Sequence, residues 1–448
     1  MNEKKIRRRD FLAGTAAVAA FTVIPRHVLG GPGNTPPSEK INIAGIGIGG
    51  QGASDLRELE SQNIVALCDV DWGYAKPIFD RYPNAKKYRD FREMLDKEDK
   101  NIDGVVVATP DHNHAVVSMA ALKRGKHVYC EKPLTHSVYE ARMVAEEARK
   151  RGLATQMGNQ GQASIETRLT CETIWDGAIG QVHEVHVWTD RPLKGINDVY
   201  WPQGVGRPTD TPPVPETMAW DLWLGPAPAR PYHPAYAPFK WRGWWDFGTG
   251  ALGDIGCHTI DPVFRALKLG HPTSVEACCT LVNDETYPVA SRVTYEFPAR
   301  EGLVPVKLHW YDGGMRPPRP DELDPEARWG DNGTLYVGDK GKMLGYRLIP
   351  EARAKEYGKP PERIPRSIGH YLEWVEACKG GKPAGSNFPD HAGLLAQVVL
   401  LGNIAIRPAL KEKLTRTKLM WDGANMKITN LPEANQYLQT QYRDGWTL

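Results

Sequence analysis

Ile41-Asn42-Ile43-Ala44-Gly45-Ile46-Gly47-Ile48-Gly49-Gly50-Gln51-Gly52 is the stretch whose reading decides the fold. Residues 41–46 are a short β-branched run, and the glycine turn behind them opens a helical stretch. Gly47-x-Gly49-x-x-Gly52 fits the dinucleotide fingerprint, with Ile48 and Gly50 completing the loop. Glycine is needed there because the backbone turns tightly, approaches a pyrophosphate closely and lets the helix pack on the strand, with the phosphates at the positive helix end. The overlapping Gly45-x-Gly47-x-x-Gly50 also fits but would cut the strand short, and a plain glycine turn is the bland alternative. The next strand favours the fingerprint. It ends Ala66-Leu67-Cys68-Asp69, and an acid about 20 residues beyond the loop can accept hydrogen bonds from the adenosine ribose. Because a carboxylate repels a 2′-phosphate, Asp69 points to NAD over NADP.

Working outward, residues 104–108, 127–130 and 154–157 are further strand-like runs separated by amphipathic stretches. Such alternation implies an α/β fold, a Rossmann-type doubly wound parallel sheet. Beyond about Gln160 the pattern changes. Runs at 182–189, 274–281, 291–295, 304–310 and 333–337 lack regular helices between them, which predicts a mixed, largely antiparallel open-sheet α+β domain. Helices are expected at 368–379 and 392–407. The expected organisation is a signal and linker at 1–38, a cofactor domain at 39–159 and a substrate domain at 160–448.

Two strand ends carry unusual residues: Ala108-Thr109-Pro110-Asp111-His112-Asn113-His114 and Val128-Tyr129-Cys130-Glu131-Lys132-Pro133-Leu134. Both fall at the carboxyl edge of a parallel sheet, where ligands bind in such folds. With the glycine loop and Asp69 before them, and Gly158-Asn159-Gln160-Gly161 and Gly253-Asp254-Ile255-Gly256-Cys257-His258 after them, the sequence resembles the Gfo/Idh/MocA oxidoreductases from about Lys40 to near Arg407. The resemblance implies that Thr109, Pro110, His114, Glu131, Lys132, Asn159 and Gln160 lie near the nicotinamide. It further implies that Asp254 and His258, four apart and so on one helix face, meet Lys132 across a cleft as the catalytic set. On chemical grounds His258 suits the base that takes the hydroxyl proton, while Lys132 suits a donor to the developing alkoxide and Asp254 an orienting carboxylate. Lys132 as the base, its pKa lowered by burial, is the alternative. Taken alone, Asp254 could be a helix cap and His258 a core histidine.

His112 and His114 are two apart with no matching cluster, a poor metal site, so no metal is expected. A formal charge of +2 over 448 residues gives no footprint for nucleic acid. The seven cysteines have no framework spacing and read as buried free thiols. Lys4, Lys5, Arg7, Arg8 and Arg9 precede an uncharged stretch from Phe11 to Ile24, and Arg8-Arg9-Asp10-Phe11-Leu12 has the form of a twin-arginine signal. That order predicts a periplasmic protein handed folded to the export machinery, which reconciles export with free thiols. Free NAD being scarce outside the cytoplasm, such a protein should carry its cofactor bound. Seven of the fourteen tryptophans, from Trp188 to Trp245, crowd a Pro- and Gly-rich segment, where they either stack on sugar rings or anchor an irregular insertion. The segment is also long enough to wrap a neighbouring subunit, and the resemblance implies a dimer or tetramer. The expected activity is NAD(H)-dependent oxidation or reduction of a sugar, glycoside or polyol, with NAD-dependent glycoside cleavage through transient C3 oxidation as the alternative. Relatives that cleave in this way lack an intact Glu-Lys-Pro, whereas Lys132 is present here.

Overall fold

The computed structural model describes residues 39–195, 198–414 and 417–448; the expected export signal lies outside them. The first sheet is parallel throughout. Its strands are β1 (Asn42–Ile46), β2 (Asn63–Cys68), β3 (Lys86–Tyr88), β4 (Gly104–Val107), β5 (His127–Glu131) and β6 (Thr155–Gly158). They lie in the order β3-β2-β1-β4-β5-β6, so the winding reverses between β1 and β4 and opens a crevice at their carboxyl ends. Gly104-Val105-Val106-Val107 is buried along its whole length, as a strand covered on both faces must be.

The crossovers are α1 (Gly50–Glu58), α2 (Lys76–Arg81), α3 (Phe91–Lys97), α4 (Asp111–Lys123) and α5 (Val138–Arg151). α5 starts on a capping box made by Ser137 and Glu140 and stops at Gly152 in the left-handed conformation. α4 buries eleven of its thirteen residues, including Asp111, His112, Asn113 and His114. It is therefore enclosed between the sheet and the rest of the chain.

After α6 (Ile165–Trp175) comes β7 (Val182–Trp188). A long insertion then holds α7 (Trp220–Leu224) and leads into α8 (Gly250–Thr259) and α9 (Asp261–Ala266). The second sheet adds β8 (Ser274–Cys279), β9 (Ser291–Phe297), β10 (Val306–Tyr311), β11 (Gly333–Gly338), β12 (Gly341–Leu344), β13 (Arg347–Ile349), β14 (Leu419–Asp422) and β15 (Lys427–Ile428). Its order is β13-β12-β11-β7-β10-β9-β8-β14-β15; β7 and β10 are parallel and every other pair is antiparallel.

Alternation along the central strands separates two faces. Val185, Val187, Val293, Tyr295, Leu308 and Trp310 enter the main core, where α12 (Gly393–Ala405) packs on α5, α8 and β8. Glu184, His186, Thr294 and His309 lie on the opposite face, next to a small apolar cap of Trp188, Tyr311, Leu323, Leu335 and Ile349. Of the later helices, α10 (Glu351–Tyr357) comes directly after β13, and α11 (His370–Cys378) returns to the first domain, placing Trp374 and Val375 against Ile43, Leu56, Val106 and Tyr129. Among the described residues, no helix is long and apolar enough to cross a membrane.

Candidate active site

The glycine turn is shaped as its residues require. Gly47 has φ +76°, and a Cβ on Gly52 would lie 2.1 Å from the Gly47 carbonyl oxygen, so a side chain there would push α1 off the strand. Asp69 at the end of β2 reaches back to this turn. Its carboxylate accepts from the Ile48 amide at 2.9 Å, the Gly49 amide at 3.2 Å and the Asp71 amide at 2.9 Å. Burial raises its pKa to about 6 against the pull of those three amides.

A cavity of about 570 Å³ runs from this turn to the second domain. Gly47, Gly49, Gly50 and Asp69 line one end, Thr109, Pro110 and His114 the middle, and Glu131, Lys132 and Asp254 the other. The turn, the buried carboxylate beside it and the lining of the cleft fit an NAD molecule, which Asp69 would meet at the adenosine ribose and Lys132 at the nicotinamide.

At that far end Lys132 Nζ donates to Asp254 Oδ1 at 2.9 Å, and Arg242 Nε donates to the same oxygen at 3.0 Å. Burial alone would raise the Asp254 carboxyl, but the two cations hold it well below the ordinary carboxylate range. Burial likewise pulls Lys132 down, and the charges of Asp254 and Glu131 together with the Asp254 hydrogen bond outweigh it, so the ammonium is held above its usual pKa. His258, one turn along α8, feels the charges of both Lys132 and Asp254 but has no hydrogen-bond partner among the described residues. It is half-buried, and burial with the nearby Lys132 charge pushes its pKa down to about 3. The imidazole is neutral.

Five expected residues stand off the cavity wall. Ile48 acts through its amide on Asp69, and Gly52 lies behind the turn. Gln160 donates to Glu131 Oε1 at 2.8 Å and so braces Glu131 from behind. Asn159 is buried, donates to the Cys257 carbonyl at 3.4 Å and leaves its Oδ1 unpartnered. His258 is the fifth.

His114 sits between the carbonyl oxygens of Pro133 and Thr109, at 2.7 and 2.8 Å. His112 lies between those of Phe247 and Trp223, at 3.1 and 3.0 Å. Both rings are occupied by backbone, His112 pinning the insertion to α4.

Most of the clustered tryptophans are anchors. Trp188, Trp201, Trp244 and Trp245 are at most 3% exposed, whereas Trp223 and Trp241 reach the cavity beside Tyr200, Phe239, Arg191 and Arg242. The insertion also bonds to the first domain, the Trp72 amide donating to the Thr217 carbonyl at 3.1 Å and the Ala219 amide to the Val70 carbonyl at 2.8 Å. The C-terminal tail closes the same side. Arg443 pairs with Asp221 at 2.6 Å, and Trp446 lines the cavity under the Arg92 guanidinium, 4.6 Å from its ring centre. Arg242 and Trp446 were not singled out from sequence, since neither lies near a motif of the first domain.

Two models of one oxidoreductase family match the chain, its NAD-binding Rossmann fold over residues 40–159 and its C-terminal α/β domain over residues 193–302. Inositol 2-dehydrogenase of Salmonella typhimurium is 35% identical over 112 residues, 24% of this chain and 33% of that protein. D-glucoside 3-dehydrogenase of Escherichia coli is 30% identical over 138 residues, 31% of this chain and 38% of that protein. The chain thus spans about a third of the length of the curated relatives it matches. Among solved structures, the WlbA dehydrogenase from Bordetella pertussis, in complex with NADH and UDP-GlcNAcA, superposes with a TM-score of 0.57 at 15% identity, over 86% of this chain and 99% of that one. At that identity the likeness shows the shared fold.

Proposed function

The chain belongs to the Gfo/Idh/MocA oxidoreductase family, and on that premise we propose that it moves hydride between NAD(H) and a secondary alcohol of a sugar, glycoside or polyol. The observation that carries this reading is the Lys132–Asp254 pair at 2.9 Å, at the opposite end of the cleft from the glycine turn. The nicotinamide, when bound, supplies the hydride acceptor or donor. This chain's residues do the rest.

Lys132, held charged, donates hydrogen bonds to the alcohol oxygen and stabilises negative charge as it develops. A charged ammonium cannot take the hydroxyl proton; the neutral, unpartnered imidazole of His258 follows Asp254 by one turn of α8 but stands off the cavity wall, so it serves as base only when a bound substrate reaches past Asp254. Asp254 keeps the ammonium charged and aimed. Trp223, Trp241 and Phe239 line the cavity with apolar surface for the apolar side of a sugar ring, and Arg191 and Arg242 add polar groups for its hydroxyls. The names of the curated relatives, an inositol and a glucoside dehydrogenase, favour the same substrate class.

Retention of the cofactor completes the proposal. Met218 and Leu222 from the insertion, and Trp446 from the tail, close over the adenosine side of the cleft. This suits a protein that leaves the cytoplasm with its cofactor aboard, as the twin-arginine reading of Arg8 and Arg9 requires. Mass spectrometry of protein purified without added nucleotide should recover NAD(H), and a sugar and glycoside panel should change its absorbance. Recovery of none, with weak NAD binding and no absorbance change on any member of the panel, contradicts the reading.

A second reading is glycoside cleavage, favoured by 34% identity over 140 residues to a glycosyl hydrolase family 109 protein of Stenotrophomonas maltophilia. Oxidation at C3 acidifies the C2 proton, and its loss expels the aglycone. A released aglycone, in place of a keto glycoside, identifies that outcome.

A further inference from the structure

On the face of the second sheet that turns away from the main core, β7 and β10 run parallel with His186 directly opposite His309 and Glu184 opposite Lys307. Period-2 alternation puts Glu184 and His186 on one side of β7, and the register brings His309 beside them. The two imidazoles stack, with ring centres 5.1 Å apart and planes inclined by 19°. Glu184 Oε1 lies 3.3 Å from His186 Nε2 and 3.1 Å from His309 Nε2, and the ligand-capable atoms of the three side chains all fall within 4.8 Å of one another. The two glutamate–histidine separations match the edge of a small tetrahedron: bonds of roughly 2.0–2.1 Å from zinc to nitrogen and oxygen place neighbouring donors about 3.3 Å apart.

The other ring nitrogens are held in the way metal-ligating histidines usually are. His186 Nδ1 is 3.1 Å from the Tyr311 hydroxyl, and His309 Nδ1 is 2.9 Å from the Thr294 hydroxyl. With a cation bound, each Nδ1 donating its proton to its hydroxyl would turn both Nε2 lone pairs toward the metal beside the carboxylate oxygen; without one, the Nε2–H groups donate to that carboxylate. Burial lowers the pKa of both rings, leaving them neutral. His309 is 7% and His186 13% exposed at the side chain, while Glu184 is 39% exposed and provides the approach from solvent.

We propose that Glu184, His186 and His309 bind one divalent transition-metal cation of the zinc class, through Glu184 Oε1 and the two Nε2 atoms, with the fourth position taken by water. Three nitrogen and oxygen donors with an open position suit zinc, for which imidazole and carboxylate are ordinary ligands. The positive charges facing the cluster are Lys307, opposite Glu184 and 3.9 Å from Glu296, and Arg292, whose guanidinium is 3.5 Å from His309 Nδ1 and lies over the Tyr311 ring. The guanidinium faces the outer nitrogen and not the converging lone pairs, and the two charges set the affinity below that of a site with no cation beside it. The cluster lies outside the cofactor cleft.

The test uses the full-length protein with no affinity tag. Dialysis against zinc and then elemental analysis should find one zinc per chain, removable with a chelator. Cobalt loaded into the stripped protein should give the intense visible bands of a tetrahedral centre, and zinc should raise the unfolding temperature. Glu184→Gln, isosteric and at an exposed position, should abolish all three signals. His186→Ala should abolish cobalt colour, with far-ultraviolet circular dichroism showing that it folds. No bound zinc in the wild-type chain, or zinc stoichiometry and cobalt bands unchanged in Glu184→Gln, overturns the proposal.

Discussion

The wall of the cleft that carries the glycine turn is made of backbone, held by one carboxylate from the next strand. The facing end, from Lys132 to Asp254 and Arg242, is made of charged side chains brought together from two distant parts of the chain. The difference teaches what each can tolerate. A backbone wall recognises by shape, so it fails when a single carbon is added, and its failure is a failure to hold the cofactor. A charged wall recognises by electrostatics, so shape-preserving changes that remove one charge should leave the cofactor in place and stop the chemistry.

The largest effect short of removing the lysine is expected at Asp254. Asp254→Asn leaves Lys132 and Arg242 facing each other with no shared anion, and turnover should drop by roughly 10²-fold, the order seen when one preorganised electrostatic contact is lost. The pH profile gives the sign. Asp254 raises the Lys132 pKa; the ammonium is needed, so activity is lost as pH rises through that pKa, and in the variant this loss should come at lower pH. An unmoved alkaline limb would place the essential ammonium elsewhere.

Gly52→Ala attacks the backbone wall. Its added carbon meets the Gly47 carbonyl oxygen, and overpacking of this kind costs about 1–3 kcal/mol, read as roughly 10- to 100-fold weaker NAD binding by calorimetry. Gly161→Ala, where a Cβ meets nothing within 4 Å, should bind NAD like the wild type. Equal behaviour of the two variants would break the contrast between the walls.

Asp69 sharpens it further. Its folded pKa is about 6, and if its charged form accepts the ribose hydroxyls as proposed, NAD affinity should be full well above pH 6 and fall as pH drops through that value. Loss of a charged hydrogen bond, about 1.5–3 kcal/mol, predicts at least a tenfold change. Asp69→Asn should bind weakly at every pH. The smallest effect belongs to the tail: Trp446→Ala removes an aromatic contact worth about 0.5–1.5 kcal/mol and should speed cofactor release several-fold in stopped-flow fluorescence, with turnover otherwise intact.

The legibility of the sequence divides along the same line. The backbone wall is local: strand, glycine turn and helix are consecutive, and Asp69 ends the next strand, so spacing alone gave both the parallel sheet and its ligand edge. Lys132 and Asp254 needed the likeness to a family to be joined, because 122 positions separate them. Arg242 sits in an irregular insertion with no period to read. β3 escaped notice because Lys86-Lys87-Tyr88 is a three-residue polar edge, and β12 to β15 because strands of two to four residues carry too little alternation to register. Glu184, His186 and His309 went unremarked in the sequence because Glu184-x-His186 is ordinary strand alternation and its partner His309 is fixed only by the register of β7 on β10. The tryptophan cluster gave a choice between anchoring and stacking, and burial assigns most of it to anchoring.

The proposed chemistry requires that the ammonium of Lys132 drive hydride exchange with a nicotinamide held independently of it. Lys132→Met, loaded with NAD and mixed with a glycoside that reduces the wild-type enzyme's cofactor, tests it in one turnover monitored by nicotinamide absorbance. NAD content should equal that of the wild type and the rate of reduction should be lower by about 10²–10³-fold. Reduction at the wild-type rate would contradict it.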